Sequence, residues 1–403
     1  MVRALFCFLV ASFVVASATP AQAEPDAPPL AALLARALDS EGVSPALTGA
    51  IAIDIATGEV LFRLNETRPL EPASTEKLTV ALAALARLGP SFRIETNVLG
   101  RGVKEGAVWQ GDLVLKGYGD PTLDGEDLRR LARQVRVLGL RRVTGDVLAD
   151  ETFFDRRRTV RGWEPSFYKV ESPPLSALAV DRARVDGVTL GRPALAAATA
   201  LHDALERSGV EIDGKPAVGR TANEVVLLAQ ITSPPLARLV RLMNTVSDNY
   251  LAEILLKELG ARELGRGTSA AGTQVVREVL EERSIPLEGV RIVDGSGLSR
   301  GDRLTAQALA ALLVSARNDP ELAGSFLDSL PIAGISGTLE DRLERKPALG
   351  RVQAKTGTTG RASSLAGYAG DRYVFAVLMN GRPITWSSAR DGQDRFAELL
   401  AAQ

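Results

Sequence analysis

Three short polar motifs, far apart and in fixed order, constrain this chain more than any other feature: Ser74-Thr-Glu-Lys77, Ser247-Asp-Asn249 and Lys355-Thr-Gly357. Together they describe a serine nucleophile activated by lysine, and a fold that uses them must bring three distant stretches into one cleft. A serine hydroxyl is a poor nucleophile at neutral pH and needs a neighbour to take its proton as it attacks a carbonyl. If Ser74 opens a helix, the i, i+3 spacing sets Ser74 and Lys77 on one face, about 5–6 Å apart at Cβ. Local signals predict that helix: Pro72 precedes the Ser74-Thr75 pair, an apolar run from Leu78 to Ala86 follows, and Gly89 with Pro90 stops it. The nucleophile would then sit at a positive helix end, where backbone N–H groups can face a developing oxyanion.

Lysine acts as a base only if its pKa falls from roughly 10.4 towards neutrality. Nearby positive charge and desolvation are the usual causes, and Lys355 could supply the charge. The Ser247 hydroxyl and the Asn249 amide suit a proton relay and a substrate clamp, while Lys355 and Thr356 suit a carboxylate. The chain uses eight lysines against forty arginines, and two of the eight fall in these motifs. Arginine cannot deprotonate, so the base position excludes it. A decoy, Ser166-Phe-Tyr-Lys169, has the same spacing, but Pro165 before it and Pro173-Pro174 after it leave no room for a long helix. Alone, Ser247-Asp-Asn249 also reads as a helix N-cap, and Lys355-Thr-Gly357 as a strand end with a turn glycine. The conjunction in order tips both towards function.

That set is the known signature of penicillin-binding proteins and class A β-lactamases. Within it the chain resembles the class C low-molecular-mass penicillin-binding proteins, the DacB-like D-alanyl-D-alanine carboxypeptidase/endopeptidases of peptidase family S13. Four further stretches carry the likeness: Pro72-Ala-Ser-Thr-Glu-Lys77-Leu-Thr, Gly119-Asp-Pro-Thr-Leu123, Ser247-Asp-Asn-Tyr-Leu-Ala-Glu253 and Asp294-Gly-Ser-Gly-Leu-Ser-Arg300. The resemblance implies an α/β fold, a penicillin-binding-protein/β-lactamase-like transpeptidase domain with an antiparallel sheet and helices, interrupted by an inserted α/β domain. It implies an acyl-enzyme on Ser74 formed from the D-Ala-D-Ala end of a peptidoglycan stem peptide, with Lys77 as base and Ser247 relaying the proton. Asn249, Lys355, Thr356, Gly357 and Thr358 would bind substrate, and the N–H groups of Ser74 and Thr358 would form the oxyanion hole. β-Lactams are the expected inhibitors, and neither metal nor organic cofactor is implied. Two alternatives share the motifs: a serine β-lactamase and a catalytically weak peptidoglycan-binding protein.

Residues 1–23 read as a secretory signal, with Arg3, the apolar run Leu5 to Ala18 and the small-residue site Ala21-Gln-Ala23. The expected location is therefore the periplasm or cell wall, which is compatible with a loose association with membrane or wall. Cys7 lies inside that segment, so the mature chain has no thiol and hence no disulfide, cysteine nucleophile or cysteine zinc site. His202 is the single histidine, which excludes a zinc peptidase with several His ligands. It sits in an amphipathic helical run and reads as a surface or half-buried position. A net charge of −1 with interspersed signs gives no sign of a nucleic-acid partner.

A short helix from Pro29 to Ser40 leads into a hairpin, Ile51 to Ala56 and Val60 to Leu64 around Thr57-Gly58. Strands at 351–358, 364–369 and 373–379 and a helix at 386–402 close the chain. Both ends would build one antiparallel sheet packed on helices. The interval from Ser74 to Ser247 far exceeds one connection. We divide the chain into a catalytic domain, 24–90 and 233–403, and an insert, 91–232, that looks short for two nested inserts. Asp294 to Ser299 reads as a glycine-rich loop near the cleft or a simple turn.

Overall fold

The computed structural model describes residues 29–185 and 187–403, so the signal segment and Cys7 lie outside the described residues. Five antiparallel strands form one sheet in the order Val352–Thr358, Ala362–Ala369, Tyr373–Asn380, Thr48–Asp54, Val60–Leu64. Thr48–Asp54, from the N-terminal end, docks on Tyr373–Asn380 from the other. Both central strands are buried over almost their whole length, which explains their continuous apolar runs. One face is covered by the helices Leu30–Leu38 and Trp386–Ala401, whose Leu34, Phe396 and Leu400 meet Phe62 and Phe375. The other carries the helical body.

That body is built around two helices buried all round. Lys77–Leu88 buries every residue from Lys77 to Leu85, and Asn249–Leu264 every residue from Tyr250 to Ala261. A helix with no solvent face needs apolar residues on all sides and small ones where backbones approach. Ala81, Ala83 and Ala84 supply these in the first. In the second, Gly260 faces Gly272 of the helix Ser269–Glu282, and a Cβ on Gly272 would overlap the Leu256 carbonyl oxygen.

Residues 95–232 hold a second sheet, with strands Pro216–Val218, Val147–Asp150, Val108–Gly117, Glu95–Glu105 and Val226–Thr232 in that order. Glu95–Glu105 and Val108–Gly117 form a hairpin, while Val147–Asp150 joins in parallel. The helices Gly125–Val137 and Pro193–Arg207 close its core through Leu128, Leu131, Ala198 and Leu201. Between this sheet and the catalytic body runs an irregular stretch, 151–176, tied to the body by ion pairs Lys257–Asp155 and Arg300–Glu164. Among the described residues no helix is long and apolar enough to cross a membrane.

Gly272→Ala should force the two helices apart and lower stability by about 1–3 kcal/mol, the usual cost of overpacking a core. Thermal unfolding monitored by circular dichroism reads it directly.

Candidate active site

Ser74 does not open the α-helix. It sits in a 3₁₀ turn, Ala73–Glu76, that runs into the helix at Lys77. In a 3₁₀ turn side chains at i and i+3 eclipse, so Ser74 and Lys77 stack more directly than on an α-helix. The result is a 2.9 Å contact between Lys77 Nζ and Ser74 Oγ. Ala73, at φ 49°, bends the chain into that turn. Gly357 lets it come close, because a Cβ there would lie 2.9 Å from the Ser74 nitrogen and 2.8 Å from the Pro72 oxygen.

Lys77 is wholly buried and has two further partners, Asn249 Oδ1 at 2.8 Å and the Ser296 carbonyl at 2.7 Å. Burial pulls its pKa down to about 8, against the pull of Asp294, Glu253, Asp248 and Glu76, which favour the ammonium form. Desolvation is therefore the lever. Sequence offered both burial and a neighbouring charge as levers, and both act on Lys355, whose pKa burial and then the Lys77 charge push well below the usual lysine range. The difference has a physical reason: Lys77 is ringed by carboxyl groups, whereas Lys355 Nζ is held by two neutral oxygens, Ser247 Oγ and the Thr356 carbonyl, each at 2.9 Å.

Ser247-Asp-Asn249 lies between the helices Leu236–Thr245 and Asn249–Leu264. Both readings of the motif hold at once, residue by residue. Asp248 is the N-cap, accepting from Leu251 N at 2.9 Å and pairing with Arg182, while Ser247, at φ 59°, and Asn249 turn into the cleft. Asn249 Nδ2 donates to the Glu171 carbonyl at 3.1 Å, which fixes its Oδ1 towards Lys77. Thr356 Oγ1 donates to Thr338 Oγ1 at 2.7 Å.

Lys355, Thr356, Gly357 and Thr358 occupy the end of the edge strand. Thr359 N bonds across the hairpin to Ala362 O, whereas Ala354 N points the other way, to Pro331 O. Amides alternate along an antiparallel edge, so the N–H groups of Thr356 and Thr358 face away from the sheet and into the cleft. The decoy pair does not meet: Ser166 lies in the turn Pro165–Phe167, and Lys169 Nζ rests over the Tyr168 ring. His202 is half-buried on the helix Pro193–Arg207. With Asp203 and Glu206 it makes the one group of the described residues close enough to share a cation, and no cleft residue belongs to it.

Sequence reasoning gave no role to the partners that hold Lys77 in place: the Ser296 carbonyl, Glu253, Trp163 and the Glu171 carbonyl. Glu253 carried a legible signal, since it follows Asn249 by four residues and so shares its helix face. A main-chain carbonyl carries none.

A family model described as the D-Ala-D-Ala carboxypeptidase 3 (S13) family matches residues 30–190 and 183–403. The chain is 30% identical over 428 residues to a D-alanyl-D-alanine carboxypeptidase of Actinomadura sp. (strain R39), covering 85% of this chain and 79% of that one. Its fold is similar to that of the crystal structure of penicillin-binding protein 4 (DacB) from Haemophilus influenzae, with a TM-score of 0.81 at 23% identity, covering 91% of this chain and 97% of that one. A second structure of the Haemophilus protein, complexed with a β-lactam, matches with a TM-score of 0.72 at 24% identity and the same coverage.

With Lys77 at about 8, its free-amine fraction grows roughly tenfold per pH unit below that value and levels off above it. The rate at which a β-lactam acylates the protein should follow the same curve from pH 6 to 9 in stopped-flow measurements.

Proposed function

We propose a role for each cleft residue from one premise: the chain belongs to the D-Ala-D-Ala carboxypeptidase S13 family and is a serine-type D-Ala-D-Ala carboxypeptidase acting on peptidoglycan. Ser74 Oγ attacks the carbonyl between the two terminal D-alanines of a stem peptide while Lys77 Nζ takes its proton. The negative charge that develops on the carbonyl oxygen is met by the N–H groups of Ser74 and Thr358. The C–N bond then breaks, the leaving amine is protonated through Ser247, and an ester to Ser74 remains. Water cleaves that ester and regenerates the hydroxyl.

Lys355 and Thr356 grip the terminal carboxylate, Asn249 holds the acyl side, and Gly357 keeps the nucleophile turn against the edge strand. The incoming carboxylate supplies the counter-charge that buried Lys355 lacks, so binding favours its ammonium form. The observation that carries this reading is the pair of 2.9 Å contacts, Lys77 to Ser74 and Lys355 to Ser247, joined through one cleft. A β-lactam presents the same carbonyl and carboxylate, so it acylates the same oxygen. The sequence of residues 1–23 supports export to the periplasm or cell wall.

Intact-mass spectrometry after benzylpenicillin treatment should show one covalent adduct that persists for hours in the wild type and is absent from Ser74→Ala. Lys77→Arg, which keeps the charge and cannot lose it, should also abolish the adduct. An adduct on Ser74→Ala would mean that another residue is the nucleophile.

A further inference from the structure

An amine nitrogen offers three directions, and three partners of Lys77 lie within 2.7–2.9 Å. Two of them, Asn249 Oδ1 and the Ser296 carbonyl, are carbonyl oxygens that only accept. Ser74 alone can donate. A neutral Lys77 therefore fits in one way, with both N–H groups on the carbonyls and the lone pair on the nucleophile. If the Ser296 carbonyl moved, an N–H could turn to Ser74 and the base would be lost.

The Ser296 carbonyl belongs to no helix or strand, and buried carboxyl groups hold its loop instead. Glu253 Oε1 accepts from both Gly295 N and Ser296 N at 2.9 Å. Asp294 accepts from Gly297 N and Ser299 N, each at 2.7 Å. Asp294 Oδ2 takes two more bonds, one at 3.2 Å from the Ser296 hydroxyl and one at 2.7 Å from the indole N–H of Trp163 in the stretch that leaves the inserted sheet. That same stretch supplies the Glu171 carbonyl that orients Asn249. Both carbonyls that steer Lys77 are thus braced from outside the catalytic body.

Electrostatics says what these acids are not for. Lys77 faces Glu76 beside it in sequence, Asp248 and Glu253 from the helix Asn249–Leu264 and its cap, Asp294 from the loop, and Lys355 from the edge strand, with Asp302 behind Asp294 and Glu76. Glu253 and Asp294 favour the ammonium form, which opposes base catalysis. Their contribution is geometric.

We propose that Trp163 and Glu253 are positioning residues that aim the lone pair of Lys77 at Ser74 through the Ser296 carbonyl, so that the inserted segment takes part in activating the nucleophile. The inference rests on the reading of Lys77 as base. It assigns the insert a function within the reaction: the segment 151–176 fixes the direction of a proton transfer.

Stopped-flow acylation by benzylpenicillin from pH 5 to 10, resolved into the non-covalent constant and the acylation rate constant, tests it on three variants. Trp163→Phe keeps the ring and loses the N–H. It should lower the plateau rate about tenfold at all pH with non-covalent binding unchanged, the scale expected when a reacting group is misaimed. Glu253→Gln keeps an acceptor for the Gly295 and Ser296 N–H groups, so its plateau should stay within about twofold of the wild type. Glu253→Met, of similar size without the acceptor, should lose about a hundredfold. A wild-type rate for Trp163→Phe, or a Trp163→Phe effect confined to non-covalent binding, overturns the proposal. So does a Glu253→Gln plateau as low as that of Glu253→Met. Lys77→Arg separates the two failures: acylation that survives it removes the base itself, whereas acylation abolished by it beside a wild-type Trp163→Phe removes only the positioning.

Discussion

The whole site depends on taking one lysine out of water. Lys77 is wholly buried at the junction of a 3₁₀ turn and a helix with no solvent face, and that burial brings its amine within reach of neutrality. A buried ammonium with three good acceptors is tolerable, and so is the free amine with two acceptors and a hydroxyl. The site holds the group between these states. A single ring of oxygens serves both.

Such an arrangement is costly for a fold to maintain. Behind Lys77 the carboxyl groups of Glu76, Glu253 and Asp302 are buried, and each leaves one oxygen without a hydrogen-bond partner among the described residues. Burial raises the pKa of all three, to about 8 for Glu253, so they hold protons well above the ordinary carboxyl range. Above their unfolded values, near 4.5 for the glutamates, these groups cost stability, and the cost grows as pH climbs towards the folded values. The helical core that surrounds them, from Leu78 through Leu255 to Leu313, offsets it.

The same logic recurs where the insert meets the catalytic body. Glu258, on the helix that begins at Asn249, has its pKa raised to about 7, and Asp120 of the Gly119-Asp-Pro-Thr stretch rises to about 6, both chiefly through burial. Arg262 pairs with Glu258 and lies over the rings of Phe92, Tyr118 and Phe153. The charge is held against an aromatic wall at this junction, which keeps the segment 151–176 in register with the cleft it braces.

Much of the fold was legible because its signals are local. The Thr57-Gly58 turn between two apolar runs, the glycine and proline after Leu88 and the apolar runs at 352–380 each report on a few neighbouring residues, and short-range sterics fix their outcome. The motifs were legible for a similar reason, since a serine activated by lysine requires particular side chains at set spacings. The rest was not written locally. That desolvation of Lys77 outweighs the carboxyl groups around it, that the Ser296 carbonyl claims one of its hydrogens, and that Trp163 braces the loop from the insert all depend on groups brought together across long stretches of chain. Sequence determined which atoms could react. Tertiary packing decided which of them are dry, and which way a lone pair points, because burial and main-chain direction are properties of the assembled core.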